Sequence, residues 1–246
     1  MVVRTYQQAS KSHYLTRLVV ATDDLRIKQA CEDAGAEVIM TDGDIPNGTE
    51  RCAQALDRVA GEYDIVVNIQ GDEPLIEPEA IDKVVEALQN DAKAVYSTPV
   101  TRLPHEEVKQ RARVKCIMDQ QGYAIYFSRG VLPFNKNGLV DPAHEYWLHL
   151  GLQCYTADFL RVYPTLQPTP CQLQEDLEQL KAIEHGYRIK VVKVDYAAHG
   201  VDEPDDVASI EVIMRNTGLD SGFNKKSVSS PVPPHDKLHR SGGTLT

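Results

Sequence analysis

Apolar and polar positions alternate in blocks along the chain, and the blocks switch between a helical and a strand period. Residues 1–14 read mostly as a helix, and Arg17 to Ala21 as a short buried strand ending at Thr22-Asp23-Asp24. Residues 25–35 form an amphipathic helix closed by Gly35, and Ala36 to Met40 are a second strand. A turn rich in Asp, Gly, Pro and Asn covers Thr41 to Gly48, and a helix follows over 49–60 with Thr49 in its N-cap region. The strand 64–69 is mostly apolar and β-branched over Ile65 to Ile69, as expected of a strand buried on both faces of a parallel sheet. This α-β-α-β-α-β order predicts an α/β fold with a mostly parallel sheet.

The middle of the chain changes character. After a helix over 77–90 and a strand over 94–100, residues 114–119 and 123–128 read as a β-hairpin around Gln120-Gln121-Gly122. Residues 147–155 read as one strand, 157–163 and 172–185 as helices, 188–194 as a strand and 204–216 as a helix opened by Pro204. Residues 1–216 are thus expected to form one domain, with a β-rich region at about 100–156. Residues 217–246 are rich in Ser, Pro, Gly and Lys without periodicity and read as a disordered tail, or as a short docking arm.

Composition narrows the function. The chain has 246 residues and a net charge of −10, which argues against a nucleic-acid-binding surface. No apolar run is long enough to span a bilayer, and the first residues lack the apolar core of a signal peptide, so a cytoplasmic protein is expected. Cys31, Cys52, Cys116, Cys154 and Cys171 are widely spaced and odd in number. They read as buried small hydrophobes in a reducing compartment rather than as a disulfide or zinc framework.

Chemistry gathers where strands stop. Gln70-Gly71-Asp72-Glu73-Pro74 follows the 64–69 strand directly, so two acids sit at its carboxyl end, the edge where open α/β sheets bind ligands. Asp23-Asp24 and Asp202 follow other strands. Such carboxylates suit Mg²⁺ on nucleotide phosphates, because the ion keeps several waters and takes one or two protein carboxylates. The plainer reading of any one of them is a helix cap or a solvated turn. Asn47-Gly48-Thr49-Glu50-Arg51 enters a helix, where backbone N–H groups and the helix dipole favour an anion; an ordinary capped start is the alternative.

The segments VVATDD, NGTER, VNIQGDEP, GYAIYFSR, HLGLQCY, EDLEQLK and HGVDEPDD occur in this order over about residues 1–215. Together they resemble 3-deoxy-manno-octulosonate cytidylyltransferase, the CMP-Kdo synthetase family. That resemblance implies a Rossmann-like nucleotidyltransferase sheet with helices on both faces, and a homodimer built on the middle region. It implies CTP and Kdo as substrates, and CMP-Kdo and pyrophosphate as products. It also implies a Mg²⁺ site on Asp72 and Asp202, and a cytidine loop at Gly48, Thr49, Glu50 and Arg51 with Gln70 beside it. Arg129, His149, Glu178 and Gln179 would line the Kdo pocket, with Lys115 a further basic contact. Without the resemblance, His149 reads as a satisfied core histidine, and Glu178 and Gln179 as a solvated helix face.

Two departures stand out. Family members begin with a strand and a basic loop of the form Pro-Ala-Arg-x-x-Ser-x-Arg-x-x-Gly-Lys-Pro-Leu, and Met1 aligns just after it. A sheet without its central strand, and a triphosphate short of positive contacts, would follow. The expectation is poor turnover by this chain, with an inert, family-derived binding protein as the second reading. The third reading, a metal-dependent glycosyltransferase using Asp23-Asp24, has only that acid pair behind it. The smaller departure is Gln153, where bacterial relatives often carry Tyr.

Overall fold

A computed structural model describes residues 1–196, 201 and 204–216, and the backbone of 241–245. The chain divides into two compact units. One comprises residues 1–82 with 198–246, the other residues 83–197.

The first unit holds helices α1 (Val2–Ala9), α2 (Leu25–Asp33) and α3 (Gly48–Arg58), with strands β1 (Leu15–Thr22), β2 (Glu37–Met40) and β3 (Ile65–Ile69). β1 pairs with β2 in parallel. All five residues of β3 are buried, Asn68 among them, consistent with its mostly apolar run. Burying each of its Ile and Val side chains contributes roughly 1.5–3 kcal/mol. Gly35 closes α2 at φ 82, a left-handed conformation that costs glycine nothing.

Two expectations change here. The first helix stops at Ala9 instead of running to residue 14, because Asp82 draws the next residues out of the helix. Its carboxylate accepts from the Ser12 hydroxyl and from the backbone N–H of His13 (3.0 Å) and Tyr14 (3.3 Å). The second change is larger. Residues 241–245, read as part of a disordered tail, form strand β10 (Ser241–Leu245), which lies between β1 and β3 and parallel to both. The gap expected in the centre of the sheet is therefore filled from the other end of the chain.

α4 (Pro78–Gln89) carries the boundary between the units. The second unit holds β4 (Tyr96–Leu103), β5 (Lys115–Met118), β6 (Ala124–Ser128), β7 (Tyr146–His149), β8 (Leu152–Thr156), α5 (Ala157–Val162), α6 (Pro170–Glu175), α7 (Glu178–Glu184) and β9 (Ile189–Lys193). α8 (Pro204–Asn216) returns to the first unit. The β5–β6 hairpin forms as expected, with Gly122 at φ 80 in its turn.

The expected strand 147–155 is broken. β7 and β8 both pair antiparallel with β4. They share one edge of it, because β9 takes the opposite edge over Tyr96–Val100. The register slips between Ser97↔Cys154 and Val100↔His149, so Leu150-Gly151 is an irregular step that ends β7 at His149. Such steps re-aim side chains. The expected helix 172–185 is also two helices, because Asp176 takes a left-handed conformation (φ 53, ψ 54) between α6 and α7.

Candidate functional site

In the first unit the candidate groups sit where backbone elements begin and end. Asn47, not Thr49, caps α3: its side-chain oxygen accepts from Glu50 N–H at 2.9 Å, and its amide reaches back to Glu50 at 3.4 Å. Gly48, Thr49, Glu50 and Arg51 then form the first turn, with Thr49 buried. Arg51 donates to the Thr41 hydroxyl and stands 3.5 Å from Asp23. The turn before α3 is tied down at Asp42, whose carboxylate accepts from Gln54 (2.7 Å) and Arg58 (2.8 Å).

Asp24 does the plain work of a cap. It accepts from the backbone of Arg26 (2.7 Å) and Ile27 (3.4 Å) at the start of α2, and the Arg26 guanidinium holds its carboxyl below the usual range. An acid committed in this way leaves the glycosyltransferase reading without its acid pair.

Gln70, Gly71 and Asp72 lie at the carboxyl end of β3, all half-buried. Two contacts from distant segments hold this turn. The Thr5 hydroxyl of α1 donates to Gly71 O at 3.0 Å, and Val201 N–H donates to Asp72 O at 3.0 Å. Asp202 itself lies outside the described residues. Its neighbour Val201 is nonetheless hydrogen-bonded to Asp72, so the chain is brought to residue 72 one position before the second expected carboxylate. Among the described residues, no group of three or more His, Cys, Asp or Glu gathers around a point. A site of one or two carboxylates completed by water needs no such group.

In the second unit the candidates are held through their own side chains. His149, at the end of β7, packs edge-on against Phe127 with ring centroids 4.8 Å apart. Its Nε2 lies 2.8 Å from Thr98 Oγ1, and that hydroxyl donates its one proton to Leu152 O at 2.7 Å. The His149 bond must therefore be donated by Nε2–H, which leaves Nδ1 as an acceptor. Burial pushes the imidazole down to about 4, so it is neutral at physiological pH.

Gln179 is 2% exposed, and its Nε2 has no hydrogen-bond partner among the described residues. It is neither the solvated helix face of the plainer reading nor a satisfied core group. Its neighbour Glu178, in the first turn of α7, is half-buried, and its carbonyl accepts from Tyr163 OH at 2.8 Å.

Arg129 follows β6 and docks on the end of α6. Its Nε donates to Glu175 O at 2.7 Å and its Nη2 to Asp176 O at 3.2 Å, while Glu175 Oε2 accepts from Arg129 N–H at 2.9 Å. These contacts take the carbonyls at which the expected 172–185 helix breaks. A guanidinium has five N–H donors, so this docking leaves others for a ligand carboxylate.

Lys115 is placed differently from the expectation of a substrate contact. It is fully buried, and its ammonium donates to three backbone carbonyls: Gln110 (3.1 Å), Arg113 (2.6 Å) and Arg129 (2.7 Å). Burial lowers its pKa, and the nearby Arg129 acts in the same direction. It clamps the backbone beside Arg129.

Sequence reasoning passed over the residues that orient these groups: Thr98, Glu175, Asn47 and Thr5. Only Asn47 had a local signal, because Asn-x-x-Glu is a capping pattern. Gln153, noted as a departure, is buried and accepts a hydrogen bond from Tyr155 OH. The thiols are not candidates: Cys31, Cys52, Cys116 and Cys154 are buried, and burial alone drives Cys116 well up.

Comparison with known proteins identifies the family and the fold. A family model described as cytidylyltransferase matches residues 1–190. The chain is 56% identical to the mitochondrial 3-deoxy-manno-octulosonate cytidylyltransferase of Arabidopsis thaliana, covering 89% of this chain and 76% of that one. It is 45% identical to the 3-deoxy-manno-octulosonate cytidylyltransferase of Protochlamydia amoebophila, covering 89% and 86%. Among solved structures it is similar to CMP:2-keto-3-deoxy-manno-octonic acid synthetase complexed with CTP. The TM-score is 0.81 at 29% identity, covering 88% of each chain.

Proposed function

The chain belongs to the cytidylyltransferase family, and from that membership we propose that it transfers CMP from CTP to 3-deoxy-D-manno-octulosonate, giving CMP-Kdo and pyrophosphate. The observation that carries the sugar half of this reading is the buried Gln179 amide, whose Nε2 has no hydrogen-bond partner among the described residues. Buried polar groups are normally satisfied, and a polyhydroxylated ligand would supply the partner.

Each residue then has a role set by its chemistry. Gly48, Thr49, Glu50 and Arg51 hold the cytidine end of CTP, with Gln70 beside them. Arg129 offers N–H donors to the sugar carboxylate. His149 Nδ1 accepts a sugar hydroxyl, and Glu178 and Gln179 bond others. Lys115 acts through the backbone it clamps and does not touch substrate.

In the reaction the anomeric hydroxyl oxygen bonds to the α-phosphorus of CTP, its proton passes to water, and the bond to the β-phosphate oxygen breaks. Such transfers depend on positioning and charge neutralisation. Asp72 and Asp202 fit Mg²⁺, a hard cation content with one or two carboxylates, which when bound would neutralise phosphate charge. The Thr5 and Val201 contacts fix the Asp72 turn in advance, so little reorganisation remains when substrate arrives.

We also propose a homodimer through the middle β-rich region, supported by Ile125, Phe134 and Leu139, which are 52%, 67% and 70% exposed. No helix among the described residues is long and apolar enough to cross a membrane. The odd number and wide spacing of the five cysteines support a reducing compartment such as the cytoplasm.

A pyrophosphate-release assay with CTP, Kdo and Mg²⁺ tests the reaction. Release that needs both substrates and stops with a chelator is expected. The second reading is binding without turnover. CTP binding without release would favour it and sink the transferase reading.

A further inference from the structure

Arg129 is gripped at its backbone and at its side chain. Its N–H donates to Glu175 Oε2 at 2.9 Å, and its carbonyl accepts from Lys115 Nζ at 2.7 Å. Its guanidinium donates to the Glu175 and Asp176 carbonyls at 2.7 and 3.2 Å. The other carboxylate oxygen of Glu175 is also used. Oε1 accepts from Ser128 Oγ at 2.7 Å, and that hydroxyl oxygen accepts from Gly130 N–H at 2.9 Å. Ser128 is the last residue of β6 and is buried.

Glu175 thus holds Ser128 and Arg129 directly, and Gly130 through the Ser128 hydroxyl. Hydrogen bonds to an ionised carboxylate are about twice as strong as neutral ones. The charge acts beyond those bonds: burial works against the Lys115 ammonium, and the Glu175 carboxylate works for it. Glu175 also ends α6, and Asp176 beside it turns left-handed before α7 begins at Glu178. The residue that fixes Arg129 therefore also fixes the step from which Glu178 and Gln179 follow.

We propose that Glu175 is a positioning residue for the sugar-acid half of the site, holding the Arg129 guanidinium and the start of α7 in one fixed relation. It acts through Arg129 and the α6–α7 step and is not itself a substrate contact. Its bearing on turnover rests on the reading of Arg129, Glu178 and Gln179 as contacts of the sugar acid; its hold on Arg129 does not.

Glu175→Gln keeps the size and shape but has one acceptor oxygen for two donors, so the bracket opens on one side. In pyrophosphate release, KM for Kdo should rise about tenfold or more, and KM for CTP should stay within about twofold. Ser128→Ala should move KM for Kdo the same way by about threefold, and carries the test if Glu175→Gln does not fold. Arg129→Lys is measured in parallel. If it raises KM for Kdo while Glu175→Gln lowers only the melting temperature, Glu175 is a structural tie and the proposal is overturned. Heteronuclear NMR of arginine side chains on the full chain reads the hold without turnover. The Arg129 Nε–H resonance, assigned by its loss in Arg129→Lys, should exchange slowly in the wild type and shift towards free arginine in Glu175→Gln. An unmoved resonance would overturn the proposal whatever the kinetics. A moved resonance, with KM for Kdo unchanged in Arg129→Lys, would keep the hold and remove Arg129 from the sugar-acid contacts instead.

Discussion

Gly48, Thr49, Glu50, Arg51, Gln70 and Asp72 lie in the first unit at a helix start and a strand end, and Arg129, His149 and Gln179 lie in the second among other side chains. The first group is positioned by backbone. Asn47 caps α3, β3 stops at Gly71, and Thr5 and Val201 hold carbonyls of the turn. The second group is positioned through its own side chains: Thr98 sets the tautomer of His149, and the Arg129 guanidinium docks on the Glu175 and Asp176 carbonyls. A backbone-defined site tolerates loss of a neighbouring side chain, so its functional side chains can be removed with the fold intact. A site held by side chains couples function to stability.

The largest effect expected from that contrast is at Asp72. Asp72→Asn keeps the shape and the backbone bond from Val201 and removes the charge. Turnover should fall on the order of 10²–10³-fold, as when one preorganised electrostatic group is lost. Stability should stay within about 1 kcal/mol, because the turn is held through carbonyls. Pyrophosphate release and urea denaturation on the same preparation read both quantities. Wild-type turnover in the variant would remove Asp72 from the mechanism, and an unfolded variant would erase the contrast between the units.

Lys115 sharpens the other side. Lys115→Met fills similar volume but leaves three part-buried carbonyls without their shared donor. A loss of roughly 1–3 kcal/mol is expected, the range for leaving hydrogen-bond acceptors unsatisfied. A residue that touched the sugar acid would behave in the opposite way, with KM raised and stability intact. That pattern would return Lys115 to the role the resemblance gave it.

The same contrast explains what could be read in the sequence. β3 was legible because Ile65 to Ile69 is a local apolar run, and Asp72 because glycine and proline mark the turn around it. β10 was not legible, since Ser-Gly-Gly-Thr-Leu has no strand signal and gains its structure only from edges contributed by distant β1 and β3. The break between α6 and α7 was hidden for a similar reason. Its helical period continues across Asp176, while Arg129, far away in sequence, takes the carbonyls there. Lys115 was legible as a basic residue near the site but not as a clamp, because its acceptors are backbone atoms that no residue pattern encodes.

The smallest predicted effect is a pH dependence, and it belongs to the second unit alone. His149 has a usual value of 6.5, and burial pushes it down to about 4 in the folded chain. Above pH 6.5 the imidazole is neutral in both states and costs nothing. As pH falls from 6.5 towards 4, the unfolded chain takes up a proton that the folded chain refuses, so stability declines across that window and levels off below it. The ring keeps partial solvent access, so between pH 7 and pH 5 this group should cost about 1–2 kcal/mol rather than the full shift. His149→Gln keeps an N–H near the Nε2 position for Thr98 and has no proton to gain. Denaturation of both proteins at the two pH values isolates the effect, because carboxylate titrations are common to both and cancel. Wild type should lose about 1–2 kcal/mol more than the variant. Equal losses would mean that His149 is hydrated enough to titrate normally. The second unit would then be no more dependent on buried side chains than the first.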